Sequence, residues 1–522
     1  MHYKYNTLYW SQEISIMKTY AYKNPILRGF RPDPSICFVN GDYYLVNSTF
    51  EYFPGVPIFH SRDLINWKQI GACLTRESQL MLRGCKPSGG IYAPTLRYHN
   101  GRFYMITTNV TGGGNFIVYT DDIYGAWSEP LWIDHKGIDP SLLFDDDGKT
   151  YYCGTGTDKN GKQGIVLFEI DPDTGSILSD KQIISYGSGG KFPEGPHIYK
   201  INGWYYLMIA EGGTEYGHME TMFRSRNIWG PYESCPNNPI LTNRNEMNTD
   251  IQCCGHADIA EDENGNWWLV CLGIRKLPGG PLLHNLGRET FLAPVTWTSD
   301  GWPQVGDMGV IRETMEGPLP KGETVRQSSD FSDDFTRPQL APEWTFLRNP
   351  RMERYKAGDG RLIIEGSRET LSDFEPSFIG VRQTEFDMTA QVTVSAKLES
   401  GNSKAGITVY YSKDNHYDLY IERKEGRLWA VLSRKIMDLE SVTGRVLLPD
   451  EPEMVTLQVE TSAKEYLFRV IGSEGTVTVG AGCTAGVCTE GTMTMTFTGT
   501  FIGLFATDTV AEFRSFSLKE NY

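Results

Sequence analysis

The stretch FPEGPHIYKINGWYYL, residues 192–207, contains the signals that decide the fold. Its Asn202-Gly203 dipeptide is a strong hairpin-turn signal, and the aromatic residues that follow it favour a β-strand. The same combination occurs four more times, as NGDYYL from residue 40, NGRFYM from 100, DGKTYY from 147 and NGNWWL from 264. This part of the chain therefore repeats one hairpin five times.

The spacing of these hairpins predicts the architecture. The five turn glycines are separated by 60, 47, 55 and 62 residues, and they are Gly41, Gly101, Gly148, Gly203 and Gly265. This is the length of one four-stranded propeller blade. The sequence thus predicts an all-β fold with a five-bladed β-propeller over residues 21–320, preceded by an N-terminal extension over residues 1–20.

Counting back from each turn glycine brings five chemically distinctive residues into register. Nine residues before the last four glycines, and eight before the first, lie Tyr92, Asp139, Glu194, His256 and Asp33. Equivalent positions in successive blades lie at equivalent places around the axis, so five innermost strands would direct these side chains into one central pocket. Each residue alone also fits a turn or a hydrogen-bonded core position, but the shared register favours a site.

Three carboxylates in one pocket point to acid–base chemistry. Like charges in a confined site repel and raise one another's pKa, a strain that is typical of functional sites. Two carboxyl groups, one protonated and one ionised, are the minimum requirement for glycoside hydrolysis, and a third can tune the acid. Glu194 has a longer side chain than Asp33 or Asp139, as suits a residue that must reach a leaving group.

The motifs around these residues resemble those of glycoside hydrolase family 43, especially its β-xylosidase and α-L-arabinofuranosidase branch. The resemblance rests on GFRPDPS (29–35), GIDPSLLFDDDG (137–148), FPEGPHIYKINGWYYL, NSTFEYFPGVPIFHSRDLINW (47–67), GTEYGHM (213–219), CGHADIAEDENGNWWLV (254–270) and LGRETFLAPVTW (286–297). It covers nearly the whole chain.

The resemblance implies roles for the three carboxylates. Asp33 is similar to the general base, Glu194 to the general acid, and Asp139 to the residue that tunes and orients Glu194. Members of the family invert the anomeric configuration in one step, with a water between base and sugar. The carboxyl groups of Asp33 and Glu194 are therefore expected to be roughly 6.5–9.5 Å apart.

The resemblance also implies residues that bind and support the substrate. Arg288 is similar to the arginine that reaches the sugar hydroxyls, and it could also help keep Asp33 ionised. Phe50 resembles an aromatic wall of the −1 subsite. Tyr92 stands where the family commonly has Trp, which gives a smaller stacking face. His256 matches a histidine associated with a water-coordinated structural calcium, with a hydrogen-bonded pocket-floor histidine as the alternative. No cofactor is required.

A second domain follows a polar segment at residues 317–338. Alternating segments such as MTAQVTVSAKL (388–398), AGITVYYS (405–412) and MTMTFTG (493–499) predict strands of a β-sandwich over residues 330–522. The family resemblance implies a concanavalin or legume-lectin-like sandwich that packs on the propeller and sends a loop toward the active-site mouth. We expect it to support the propeller without a sugar site of its own.

The charge and composition of the chain limit the classes of partner that we expect it to bind. The net charge of −16 disfavours nucleic acid and anionic membranes as partners. No segment is apolar enough to span a membrane. The N-terminus lacks the pattern of a signal peptide, Met17 is an alternative start, and the ten scattered cysteines are expected to be mostly reduced. We therefore expect a cytoplasmic protein, with homo-oligomerisation left open.

Together these features predict an inverting exo-glycoside hydrolase that acts on xylo- or arabinoxylo-oligosaccharides. It would release β-D-xylose, α-L-arabinofuranose or both from chain ends or branches. One alternative is a retaining, invertase-like fructosidase, which the Pro-Asp-Pro-Ser sequence around Asp33 disfavours. The other is a non-catalytic carbohydrate-binding propeller, which would not need three acidic residues in register.

Overall fold

The computed structural model describes residues 18–246, 248–278, 283–473 and 475–521. These residues form two β-domains, a propeller followed by a sandwich. Most of the predicted N-terminal extension, residues 1–17, lies outside the described residues. Among the residues described, no helix has the length and apolar character needed to cross a membrane.

The first domain is a five-bladed β-propeller, as the hairpin repeats predict. In chain order its strands are β1 (Tyr20–Lys23), β2 (Ser35–Val39), β3 (Asp42–Val46), β4 (Tyr52–Phe53), β5 (Gly55–Ser61), β6 (Lys68–Leu74), β7 (Thr95–His99), β8 (Arg102–Asn109), β9 (Gly114–Thr120), β10 (Leu131–Trp132), β11 (Ser141–Phe144), β12 (Thr150–Thr157), β13 (Gln163–Glu169), β14 (Gln182–Ser185), β15 (Glu194–Ile201), β16 (Trp204–Glu211), β17 (Met219–Ser225), β18 (Glu233–Ser234), β19 (Ile251–Glu261), β20 (Trp267–Arg275), β21 (Glu289–Trp297), β22 (Pro303–Val305) and β23 (Thr314–Gly317). The four-stranded blades are β2-β3-β5-β6, β7–β10, β11–β14, β15–β18 and β19–β22, and β1 pairs with β23.

Each blade begins with the hairpin that the sequence repeats. In the fourth blade, Asn202 and Gly203 connect β15 to β16 with φ values of 51° and 73°, as a tight turn between antiparallel strands requires. The register places Tyr199 opposite Tyr206. The first strands of the five blades contact one another around the axis, so the residues that precede each hairpin meet at the centre of the domain.

The second domain is a β-sandwich of two large antiparallel sheets. Its strands are β24 (Phe331–Asp333), β25 (Thr345–Leu347), β26 (Tyr355–Gly358), β27 (Arg361–Glu365), β28 (Ser377–Arg382), β29 (Met388–Ala396), β30 (Lys404–Ser412), β31 (Asn415–Lys424), β32 (Arg427–Ile436), β33 (Leu439–Leu447), β34 (Val455–Thr461), β35 (Glu465–Gly472), β36 (Gly475–Cys483), β37 (Phe501–Thr507) and β38 (Val510–Glu520). One sheet has the order β26-β27-β38-β29-β34-β35-β36, with β24 on β38, and the other has the order β33-β32-β31-β30-β37-β28-β25-β4. Short 3₁₀ turns at Met352–Arg354 and Thr484–Val487 and a one-turn helix, α1 (Thr489–Thr492), complete the domain.

The core of the sandwich follows from the alternation in its strands. In β29, Met388, Ala390, Val392 and Val394 are buried while the residues between them are partly exposed. This period of two places every second side chain on the inner face. The predicted β-sandwich is therefore confirmed.

One predicted strand of the sandwich is wrong. The Met-Thr alternation of residues 493–499 predicts a strand, but the segment is a loop between α1 and β37. It crosses to the propeller instead of extending a sheet: the Phe497 N–H donates to Ser88 Oγ at 2.9 Å, and a Cβ on Gly499 would lie 2.2 Å from the Leu286 carbonyl oxygen. These contacts between domains outweigh the local alternation.

The two domains share a sheet and a group of ion pairs. Strand β4 of the propeller pairs with β25 of the sandwich, with Phe53 opposite Phe346. Glu385 of the sandwich accepts from Arg28 and Arg275 of the propeller, each at 2.6 Å. The sandwich is thus anchored beside the segment that carries Phe50.

Candidate active site

The residues predicted for the site all line one pocket where the innermost strands begin. The cavity at the centre of this pocket is small, with a volume of about 80 Å³. Its lining consists of Asp33, Phe50, Tyr92, Ala93, Ile138, Asp139, Glu194, Thr214, His256, Arg288 and Phe497.

Unusual backbone conformations place several of these side chains. Asp33 and Asp139 each precede the Pro-Ser that starts an inner strand, and their φ values are 49° and 56°. Phe50 and His256 also have positive φ values, both of 50°. Non-glycine residues adopt this left-handed region rarely, and such strain concentrates at functional sites.

Asp33 is a buried carboxylate held in its ionised form. Its Oδ1 accepts from Arg288 Nη1 at 3.1 Å, its Oδ2 accepts from Ser48 Oγ, and His256 Nδ1 lies 3.7 Å from Oδ1. Burial acts to raise the pKa of Asp33, but the Arg288 charge, His256 and the Ser48 hydrogen bond outweigh it and lower the pKa below its usual value. Asp33 can therefore accept a proton at neutral pH.

Glu194 has the opposite tendency in the same pocket. It is the first residue of β15, and it is partly exposed to the pocket. Burial and the negative charge of Asp33 raise the pKa of Glu194 to about 7, against a smaller lowering effect of Arg288. Glu194 can therefore carry a proton near neutral pH and donate it.

Asp139 lies beside Glu194 and interacts with the backbone next to it. The Gly195 N–H donates to Asp139 Oδ2 at 3.3 Å. Burial and the charges of Glu194 and Asp33 raise the pKa of Asp139 well above its usual value. Its interaction with Glu194 raises the proton affinity of the Asp139–Glu194 pair.

Arg288 connects the two domains at the pocket wall. Besides Asp33, its Nη1 contacts Thr214 Oγ1 at 3.1 Å, and its Nη2 donates to the Phe497 carbonyl oxygen at 3.2 Å. The guanidinium carbon lies 5.4 Å from the ring centres of Phe50 and of Phe497. A rigid, planar donor fixed in this way can serve both the carboxylate and a hydroxylated ligand.

Three aromatic rings form one wall of the pocket. The Phe50 ring centre lies 5.2 Å from that of Tyr92 and 5.6 Å from that of Phe497. The Tyr92 hydroxyl donates to the Ser88 carbonyl oxygen at 3.2 Å, so the ring is fixed. This wall offers an apolar surface of the kind that the C–H face of a sugar contacts.

His256 lies under the pocket and packs against Gly195, which leaves room for the imidazole ring because it has no side chain. A Cβ on Gly195 would lie 3.0 Å from the His256 ring. Burial lowers the pKa of His256, against the raising effect of Asp33. Among the residues described, no group of three His, Cys, Asp or Glu side chains could hold a metal ion. Calcium at His256 stays a prediction, and water molecules would have to supply most of its oxygen ligands.

The sequence reasoning missed Ser48, Thr214 and Phe497. Ser48 and Thr214 lie inside motifs that resemble the family, NSTFEYF and GTEYGHM, so motif position was an available signal. Phe497 comes from the loop that was predicted as a strand, and neither its spacing nor its neighbours in sequence indicate a contact with the propeller.

The propeller fold and its pair of oppositely tuned carboxyl groups are those of a glycoside hydrolase. Residues 22–303 match the family model for glycosyl hydrolases family 43, and residues 332–519 match that for the beta xylosidase C-terminal concanavalin A-like domain. The chain belongs to glycoside hydrolase family 43. The family resemblance read from the sequence and the concanavalin-like class of the sandwich are both confirmed.

Similar proteins cover nearly the whole chain. The non-reducing end alpha-L-arabinofuranosidase BoGH43B of Bacteroides ovatus is 42% identical over 506 residues, which cover 95% of this chain and 93% of that protein. A xylosidase/arabinosidase of Butyrivibrio fibrisolvens is 42% identical over 78% of this chain and 80% of its own length. The solved structure of Bacteroides ovatus Xyloglucan PUL GH43B superposes with a TM-score of 0.90 at 41% identity, covering 97% of this chain and 100% of that one.

Proposed function

We propose that this hydrolase is exo-acting and inverting, and that it removes terminal β-D-xylopyranosyl or α-L-arabinofuranosyl residues from xylan- or arabinoxylan-derived oligosaccharides. The observation that carries the proposal is the contrast between two carboxyl groups in one pocket. The pKa of Asp33 is lowered and that of Glu194 is raised to about 7. Relatives named for xylosidase and arabinosidase activities support the choice of sugars.

In the proposed reaction Asp33 is the general base and Glu194 is the general acid. A water molecule between Asp33 and the anomeric carbon bonds to that carbon while its proton passes to Asp33. The bond from the anomeric carbon to the leaving oxygen breaks at the same time, and Glu194 gives its proton to that oxygen. The free sugar has inverted configuration, and exchange of one proton with solvent restores both groups.

Asp139 and Arg288 prepare these groups for the reaction. Asp139 lies beside Glu194 and accepts from the adjacent Gly195 N–H, which orients the acid. Arg288 stabilises ionised Asp33 and has donors at the pocket wall for sugar hydroxyls.

Exo action and a single-sugar subsite are supported by the shape of the pocket. The small cavity is bounded by Phe497 of the sandwich as well as by the propeller. A wall contributed by a second domain favours binding of a chain end over passage of a long chain. We propose both sugars as substrates, since the two present similar hydroxyl groups.

The direct test compares hydrolysis of 4-nitrophenyl β-D-xylopyranoside and 4-nitrophenyl α-L-arabinofuranoside. We expect turnover of at least one of them, and a loss of activity of more than about 10²-fold in Asp33→Asn and Glu194→Gln. NMR of the first product should show the inverted anomer. No turnover of either glycoside contradicts the proposed substrates, and a retained anomer contradicts the role of Asp33 as base.

We further propose a cytoplasmic location. All ten cysteines are free thiols, and nine of them are buried, which suits a reducing compartment. Fractionation of cells that produce the protein tests this, and recovery outside the cytoplasm contradicts it.

A further inference from the structure

Phe192 is an exposed aromatic residue with a strained backbone, two residues before Glu194. Phe192 is 56% exposed to solvent, and its φ is 51°. For a bulky residue a positive φ is an outlier that the surrounding structure must enforce. Asp33, Phe50 and Asp139, which line the catalytic pocket, share this left-handed conformation.

A buried carboxylate fixes the segment that leads to Phe192. Glu211, which is fully buried, accepts from the Ser188 N–H and the Gly190 N–H, each at 2.7 Å. The Gly212 N–H donates to the Lys191 carbonyl oxygen, also at 2.7 Å. These bonds hold the loop immediately before the strained residue, and β15 begins two residues after it.

The Phe192 ring lies over the loop that contributes Thr214 to the pocket. A Cβ on Gly213 would lie 3.3 Å from the ring, which places one part of Phe192 against this glycine and leaves more than half of the residue open to solvent. Because two residues span at most about 7 Å, the ring is anchored close to the backbone of Glu194. The proton donor must touch the glycosidic oxygen, so the leaving group has to lie on this side.

We propose that Phe192 is the stacking platform of the leaving-group subsite, and that it takes a pyranose residue by the apolar C–H face of its ring. The proposal rests on the proposed function, with Glu194 as the acid. An exposed aromatic ring supplies a large, rigid apolar surface. Stacking on the leaving sugar is present both in the bound substrate and in the transition state, so it acts mainly through KM.

The test compares two substrates that share the cleaved sugar and differ in the leaving group. One is a disaccharide or branched oligosaccharide of that sugar, and the other is its methyl glycoside, whose leaving group has no ring. In Phe192→Ala we expect kcat/KM for the oligosaccharide to fall about 3- to 10-fold, mostly through KM. The methyl glycoside should change by less than about twofold, and Phe192→Tyr should retain activity on both.

Controls separate this outcome from a change in the loop. Alanine keeps a Cβ at the strained position, so the backbone conformation carries the same strain in variant and parent. Phe374→Ala removes another partly exposed phenylalanine, in the sandwich, and should leave both substrates unaffected. An equal loss on both substrates, or no loss on the oligosaccharide, overturns the proposal. Absence of turnover by the unmodified enzyme would instead contradict the proposed function.

Discussion

Replacement of Arg288 by Met should shift the pH dependence of catalysis upward. In the native site Arg288 Nη1 lies 3.1 Å from Asp33 Oδ1, and its charge opposes the burial that would raise the pKa of Asp33. Met keeps an apolar side chain of similar length between the Phe50 and Phe497 rings but removes the charge. The pKa of Asp33 therefore rises, and the base becomes protonated at higher pH than before.

The size of this shift follows from Coulomb's law. Two unit charges about 4 Å apart interact by about 4 kcal/mol at an effective dielectric constant of about 20, which corresponds to about 3 pH units. Carboxylates beside an arginine show lowered pKa values by about 1–3 units. We therefore expect the acid limb of kcat/KM against pH to move up by about 1–3 units in Arg288→Met.

The alkaline limb should move in the same direction. Arg288 also lowers the pKa of Glu194, so its removal makes the acid hold its proton to higher pH. The assay is kcat/KM for a nitrophenyl glycoside across the pH range, with thermal unfolding at each pH to confirm that the variant is folded. A lower rate with both limbs unmoved would show that Arg288 binds sugar without tuning Asp33, and would refute this reasoning.

Four further predictions address the other groups of the site. For the unmodified enzyme, kcat/KM should fall above about pH 7 as Glu194 loses its proton; a limb that stays in Glu194→Gln would contradict this assignment. Ser48→Ala removes a hydrogen bond to Asp33 and should raise the acid limb by about one pH unit, whereas an unchanged limb would show that the bond is not selective for the ionised form. Phe497→Ala should lower kcat/KM about tenfold through loss of the sandwich part of the aromatic wall, and an unaffected rate would argue against a catalytic contribution of that domain. If calcium binds at His256, EDTA should lower the melting temperature, calcium should restore it, and His256→Ala should respond to neither; a native enzyme insensitive to both would contradict the prediction.

The propeller and its central pocket can be predicted from the sequence because both follow from a hairpin pattern that repeats along the chain. The Asn202-Gly203 turn and its four counterparts determine the hairpins without help from distant residues. Glu194 and Asp139 then fall into register by counting along the chain, since each blade repeats the same path toward the axis. Their placement in one pocket needs no knowledge of how the blades pack.

The contribution of the sandwich to the pocket could not be predicted from the sequence in this way. Phe497 reaches the pocket because its N–H bonds to Ser88 and its carbonyl accepts from Arg288, residues more than two hundred positions away in the chain. The Met-Thr alternation before it fits a strand equally well. Contacts between domains decide the outcome, and a local pattern contains no information about them.

The carboxyl groups differ in their roles because Arg288, the arginine among the described residues that line the pocket, forms an ion pair with one of them. Asp33 and Asp139 occupy equivalent positions before Pro-Ser in their blades, and both are buried. Arg288 forms its ion pair with Asp33, whereas Asp139 lies beside Glu194 and accepts from the Gly195 N–H. Burial acts to raise the pKa of all three carboxyl groups. At Asp33 the neighbouring positive charge and hydrogen bond outweigh this effect, whereas at Asp139 and Glu194 charge repulsion adds to it. The base and the acid are thus distinguished by an arginine from the last blade, and a cation moved next to Glu194 would lower the pKa of Glu194 and so remove the acid.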